Sequence, residues 1–298
     1  MEDNPSLPSS DVADESALRP PPPLHCDMAH NAAVDMVSAN SGTDYVTGKH
    51  CDYIRELHSR RSQLKCGCHR IQLLSVKVYQ QLKTVLQSAV LKHILPASLM
   101  NDSMNANDSF YEELLSHGEP VIVYMHGNSG SRGSPHRVEL YTLLRNMNYH
   151  VIAFDYRSYG DSSSDTLSEM GVVSDGKYVF EWIQERVKTS PLYVWGHSLG
   201  TGVSSHALSL LAQEGKKADG LILESPFNNL RDELKEHPFS KLYRQLPWFE
   251  YFFVDPVGEN QLLFETDKHL GIIKSPVLIL HAEDDMVVPF QLGKRVCM

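Results

Sequence analysis

No run of apolar residues in this chain reaches the roughly twenty that a bilayer-crossing helix needs. Residues 71–95 come nearest, with Leu73, Leu74, Val76, Val78, Leu82, Val85, Leu86 and Val90, but Lys77, Lys83 and Lys92 interrupt them. That stretch reads as a helix or strand packed on the domain, with an interfacial amphipathic helix as the alternative. Cysteine is scarce. Cys26, Cys51, Cys66, Cys68 and Cys297 are too few and too scattered for a disulfide framework. Cys66-Gly67-Cys68-His69, with His50-Cys51 upstream, offers zinc-type side chains without a standard finger spacing. A solvated basic linker (Arg60, Arg61, Lys65, Arg70) is the plainer account, so no metal and no cofactor is expected. Positive charge is also short. The net charge of −10 argues against nucleic acid as a partner. Eight acids against Arg19 alone give the first 44 residues −7 of that total, which leaves the rest nearly neutral. An acidic, Pro/Ser-rich start does not have the pattern of a secretory signal.

What the chain does have begins late. Residues 1–70 are rich in Pro, Ser, Asp and Asn without sustained periodicity, and a disordered tail and linker is expected there. Residues 20–23 are a short polyproline stretch, either solvated or a docking segment. Asn101-Asp102-Ser103 and Asn107-Asp108-Ser109 match the glycosylation acceptor pattern, which matters only in a secretory lumen. One domain is expected over residues 71–298. Apolar strands are predicted at 121–125, 150–155, 192–195, 220–224 and 276–281. Helices are predicted at 138–147 and 170–188 and after Ser198. Continuous apolar strands alternating with helices give an α/β fold: a mostly parallel sheet with helices on both faces. In such sheets the functional loops lie beyond the carboxyl ends of the strands.

One of those ends carries chemistry. Leu192-Tyr193-Val194-Trp195 runs into Gly196-His197-Ser198-Leu199-Gly200, and an apolar helical pattern follows. This is strand, tight turn and helix with a serine at the tip, the context of a nucleophile elbow. Gly196 and Gly200 flank the turn because a side chain there would collide with it. The alternative is an ordinary Gly-rich turn with an inert serine. A serine nucleophile needs donors for the oxyanion, a carboxylate and a base. The backbone N–H of Leu199 and that of Asn128, in the loop after the 121–125 strand, are the candidate donors. Close packing of a glycine-rich loop is the bland reading of the second. Asp285 is the candidate acid and Asp284 the runner-up, although an acid here could simply cap a helix. No histidine follows Asp285, and all fifteen precede it. His126, His197 and His281 are weak candidates for the base, so no catalytic histidine is expected in the chain.

Together His126-Gly127-Asn128, Asp155-Tyr156-Arg157, Gly196-His197-Ser198-Leu199-Gly200-Thr201-Gly202, Leu223-Glu224-Ser225-Pro226-Phe227 and His281-Ala282-Glu283-Asp284-Asp285 resemble the α/β-hydrolase superfamily. His136-Arg137-Val138-Glu139-Leu140-Tyr141 and the segment from Val287 to Gly293 resemble its lysophosphatidylserine and monoacylglycerol lipase branch. The likeness covers roughly residues 93–295. It implies Ser198 as nucleophile, Asp285 as triad acid, a lipid ester substrate and an endoplasmic-reticulum membrane setting. The departures are three: no membrane-spanning helix ahead of the domain, Ser158 where the branch has glycine, and no last strand with its histidine loop. A truncated and inactive chain is therefore expected, cytosolic or peripheral to a membrane. A non-catalytic lipid- or partner-binding domain, or a protein depalmitoylase if complete, are the other readings. Residues 225–266 form an aromatic-rich insertion, expected to be a lid. Most of its aromatics read as the lid's own core, with contact to an acyl chain or a membrane surface as the sharper reading. Arg132 and Arg137 read as exposed arginines, or else as partners for a lipid headgroup.

Overall fold

The structure, a computed structural model, describes residues 90–100 and 108–296. The expected tail over residues 1–70, all five cysteines with the zinc reading, residues 71–89 and most of the glycosylation pattern lie outside the described residues.

Six strands form one sheet in the order β1-β3-β2-β4-β5-β6: β1 Val90–Ile94, β2 Val121–Met125, β3 His150–Asp155, β4 Leu192–His197, β5 Gly220–Glu224 and β6 Val277–Leu280. All neighbours run parallel except β1, which pairs antiparallel with β3. The end of the Lys-interrupted segment is thus an edge strand of the sheet, with Leu91 opposite Phe154. β2 and β3 are buried at every position, which explains why they read as unbroken apolar runs instead of alternating ones.

Both faces are covered. Successive side chains of a strand point to opposite faces. Accordingly Val121, Val123 and Met125 join the core made with α3 (Glu169–Val187) and α4 (Leu199–Gln213). Ile122 and Tyr124 join a second core with Tyr141 and Leu144 of α2 (Pro135–Asn146). A short helix α1, Asp108–Leu114, precedes β2. α2 starts three residues earlier than its apolar pattern suggests, because Pro135 supplies the fixed φ of a first helical residue. Ser168 caps α3, its hydroxyl accepting from Gly171 N–H at 3.1 Å.

Between β5 and α8 (Thr266–Leu270) the chain leaves the sheet through α5 (Leu230–Glu236), α6 (Ser240–Tyr243), a π-helical turn at Glu250–Val254 and α7 (Asp255–Glu259). α9 (Phe290–Val296) follows β6. Only three of the insertion's aromatics are buried: Phe227, Phe249 and Phe264. Phe239, Tyr243, Trp248, Tyr251, Phe252 and Phe253 are exposed, Phe239 at 81%. The expectation that most of them form the insertion's own core is therefore corrected. Helices this short have too little inner face to cover so many rings.

Candidate active site

β4 ends at His197 and α4 starts at Leu199, so one residue, Ser198, makes the whole connection. Its φ is 50° and ψ −114°, a region that costs a non-glycine residue about 1–3 kcal/mol. The strain is held by pairing on both sides. Ser198 N–H donates to the Glu224 carbonyl on β5 at 2.9 Å, and its own carbonyl accepts from the Thr201 N–H at 2.8 Å. A Cβ on Gly196 would sit 2.4 Å from the Gly200 oxygen, and one on Gly200 would sit 2.0 Å from the Met125 oxygen. Gly196 must be glycine because the first turn of α4 lies on it, and Gly200 because α4 starts in contact with the β2 backbone.

The loop after β2 lies against this turn. A Cβ on Gly127 would be 3.3 Å from Ser198 Cβ and 3.0 Å from His197 Nδ1. Leu199 N–H stands at the head of α4, where the first turn has no intrahelical acceptor. Among the described residues neither Leu199 N–H nor Asn128 N–H donates to another group. Two unused donors thus stand beside the serine.

Asp285 lies past the end of β6, two strands from Ser198. Of the three adjacent acids only Asp285 is held. Its Oδ1 accepts from the N–H groups of Val287 (2.8 Å) and Val288 (2.9 Å), while Glu283 and Asp284 are exposed. His281 Nε2 lies 3.6 Å from Asp285 Oδ2 and 2.9 Å from the Val288 oxygen, with its ring packed against Phe290. Among the described residues no imidazole hydrogen-bonds the Ser198 hydroxyl. Glu233 of α5 faces the same corner. Burial, and then the charge of Asp285, raise its pKa to about 7.

The two arginines are where the sequence reading fails. Arg137 is 1% exposed, with Nη1 donating to the Ser131 oxygen (2.7 Å) and Nη2 to the oxygens of Gly127 (3.1 Å) and Ser129 (2.7 Å). Arg132 is bound by the buried Asp155, which also accepts from the Arg132 N–H (2.6 Å), and by Asp161, to which Nη2 donates at 3.0 Å. Neither guanidinium is an exposed arginine awaiting a headgroup. Side chains on a helix lean toward its N-terminus, so an arginine three residues into α2 reaches back to the loop that feeds the helix. That signal, Ser134-Pro135-His136-Arg137, stood in the sequence. Tyr156 OH donates to the His126 oxygen (3.1 Å) and Tyr159 OH to Asn128 Oδ1 (2.6 Å). Nothing in the spacing of these two tyrosines announced that role.

A second cluster lies away from Ser198. Glu169 Oε2 accepts from the N–H groups of Leu263 (2.6 Å) and Phe264 (2.8 Å), and Oε1 is 2.7 Å from His206 Nδ1. The His206 ring stacks on His269 at 4.0 Å and 18°. The potential ligand atoms of Glu169, His206 and His269 all lie within 4.8 Å of one another, a spacing a metal ion could use. Nearly parallel rings send their lone pairs side by side, however, and both carboxylate oxygens are engaged. As built, the cluster is a hydrogen-bonded strut that fastens the returning end of the insertion to α3 and α4. Burial alone would raise the Glu169 pKa, but the hydrogen bonds from His206, Phe264 and Leu263 outweigh it and hold the group low. Burial, then His206, pushes His269 down to about 4.

The fold defines the class: the chain belongs to the alpha/beta hydrolase fold family, whose profile matches residues 120–271. Among characterised proteins it is similar to lysophosphatidylserine lipase ABHD12 of Danio rerio and of Xenopus tropicalis, at 48% and 50% identity over 204 residues. Those residues are 68% of this chain and 53% of each relative. Protein ABHD12B of Homo sapiens is 36% identical over 204 residues, 68% of this chain and 56% of that protein. The chain spans about half the length of these relatives. Among solved structures, an esterase of Pyrococcus furiosus matches at 24% identity and a TM-score of 0.47, over 61% of this chain and 67% of the esterase. Mouse alpha/beta hydrolase domain-containing protein 10 matches at 20% identity and a TM-score of 0.40, over 59% and 74% of the two chains.

Proposed function

We propose that this chain carries most of the site of a serine hydrolase for lipid esters, of the lysophospholipid or monoacylglycerol type. The observation that carries the reading is Ser198, held at φ 50° on the strand–helix turn with two unused backbone N–H donors beside it. The likeness to lysophosphatidylserine lipases supports the choice of lipid ester. In this reading a base takes the Ser198 proton as Oγ attacks the ester carbonyl. Leu199 and Asn128 N–H receive the resulting oxyanion. The alcohol leaves with a proton from the base, and water then hydrolyses the acyl-enzyme. Asp285 orients the base. Residues 225–266 act as the lid, its exposed aromatics turned to acyl chains or a lipid surface. The same resemblance is the support for work at the endoplasmic-reticulum membrane. Among the described residues no helix is long and apolar enough to cross a membrane.

The 298 residues hold no histidine after Asp285. We therefore expect the polypeptide of these residues, taken alone, to turn over slowly. The exposed aromatics of residues 225–266 support a second reading as well, a domain that binds lipid without cleaving it. One experiment separates the two. Fatty-acid release is followed from lysophosphatidylserine, a monoacylglycerol and an S-acylated peptide, with and without added imidazole as external base. The hydrolase reading expects release that imidazole raises and that Ser198→Ala abolishes, from the lipid esters before the thioester. Binding of the lipids with no Ser198-dependent release under either condition would support the second reading.

A further inference from the structure

Arg137 is the largest fully buried side chain in the molecule's described part, and the chemistry proposed above does not use it. A buried guanidinium is costly unless its donors are satisfied. Here Nη1 and Nη2 are spent on three carbonyls of a single loop, Gly127, Ser129 and Ser131, while the buried Nε has no partner among the described residues. The Gly127 oxygen is engaged twice, since His126 Nδ1 lies 2.8 Å from it. His126 is itself buried, with Nε2 3.1 Å from Asp155 Oδ1.

The Gly127 carbonyl and the Asn128 N–H are two ends of one peptide unit. In a trans peptide they point in opposite directions, and no cis bond occurs among the described residues. Fixing the carbonyl on the α2 side therefore fixes the N–H on the other. Ser198 lies against this same peptide unit, since a Cβ on Gly127 would come within 3.3 Å of Ser198 Cβ. A cation on the carbonyl end also polarises the unit and strengthens its donor. Tyr159 OH, bound to Asn128 Oδ1, keeps the asparagine side chain from turning inward to compete.

We propose that Arg137 is a positioning residue of this site: with His126 it clamps the Gly127 carbonyl so that the Asn128 N–H is presented, preset and polarised, to the atom bonded to Ser198. Its role as an oxyanion aid rests on the Ser198 reading, but the clamp itself does not. The test therefore has two arms. In the first, the full chain is labelled with 15N-asparagine, and the Asn128 amide resonance is assigned by its loss in Asn128→Asp. Arg137→Met is expected to displace that resonance more than any other asparagine amide, and Arg137→Lys, which keeps the charge and one donor, is expected to displace it less and in the same direction. An Asn128 amide that stays in place in a folded variant overturns the clamp. Arg137→Lys alone carries this arm should the methionine variant not fold. In the second arm, the slow labelling of Ser198 by a fluorophosphonate is timed against a Ser198→Ala floor. Loss of an oxyanion donor typically costs about 10²–10³ in rate, so misaiming one is expected to cut labelling by about 10- to 100-fold in Arg137→Met, with partial recovery in Arg137→Lys. Labelling unchanged in Arg137→Met overturns the oxyanion role. If the parent chain does not label Ser198 at all, the nucleophile reading fails, and the first arm alone decides the clamp.

Discussion

Ser198 is the residue on which the local geometry turns, and the glycines around it show how little room the turn leaves. Gly200 has no space for a methyl group, because its Cβ would fall 2.0 Å from the Met125 oxygen, a backbone atom at the end of the central strand β2. Relief requires α4 or β2 to move. Overpacking of this kind costs about 1–3 kcal/mol and sometimes more. Gly200→Ala is expected to lower the thermal midpoint by several degrees; a midpoint within a degree of the parent would mean that α4 does not press on β2 as described. At this scale the sequence was legible where a backbone constraint forces a residue type. The two elbow glycines follow from the turn alone, whereas the serine between them occupies a conformation that disfavours any residue but glycine. Ser158, with a φ of 64°, also sits in the left-handed region that glycine favours, which explains why serine there reads as a departure from the resemblance. Arg137 was misread although its place in the first turn of α2 was legible, because that place tells which way the side chain leans and not whether it is buried. Only the carbonyls it reaches, set by the fold, decide that it lies inside.

At the scale of elements, the strands were plain in the sequence and the insertion was not. β2, β3 and β5 span the predicted ranges residue for residue, since burial on both faces makes their inner positions continuously apolar. The insertion's short helices share no common face, so sequence periodicity could not sort its aromatics into inner and outer ones. Charged groups also meet where it docks. Arg295 of α9 meets Asp232 of α5 at 3.2 Å, and one residue on, Glu233 is pressed toward Asp285. A carboxyl whose folded pKa is raised to about 7 contributes stability below the unfolded value of 4.5 and loses it as pH rises through 7. Glu233→Gln is expected to match the parent in urea unfolding at pH 4 and to be more stable at pH 8. The gain is at most about 3 kcal/mol, from the size of that shift. An equal difference at both pH values would show that Glu233 is not desolvated against Asp285.

For the whole molecule, order along the chain decides what sits together. The crossovers of a parallel sheet deliver the loop after β2, the turn after β4 and the segment after β6 to one end, so Asn128, Ser198 and Asp285 share a rim though 157 residues separate the first from the last. That convergence was legible, because it follows from parallel pairing and needs no side-chain detail. The clamp behind the rim was not, because Asp155, Tyr156 and Tyr159 belong to a neighbouring strand end whose contact with the β2 loop exists only in the folded chain. No histidine follows Asp285 in these 298 residues. The central proposal is that Ser198 is a preset nucleophile, and that the polypeptide of these 298 residues, taken alone, supplies it with no efficient base. The most direct test is intact-mass and peptide mapping after incubation with a fluorophosphonate, in buffer and in buffer with imidazole. General bases contribute about 10²–10⁴ to such reactions, and a diffusible one is expected to restore about tenfold. The account predicts a single adduct on Ser198 that forms slowly, is hastened by imidazole and is absent in Ser198→Ala. Adduct on other serines only, or rapid labelling of Ser198 that imidazole does not change, would contradict it.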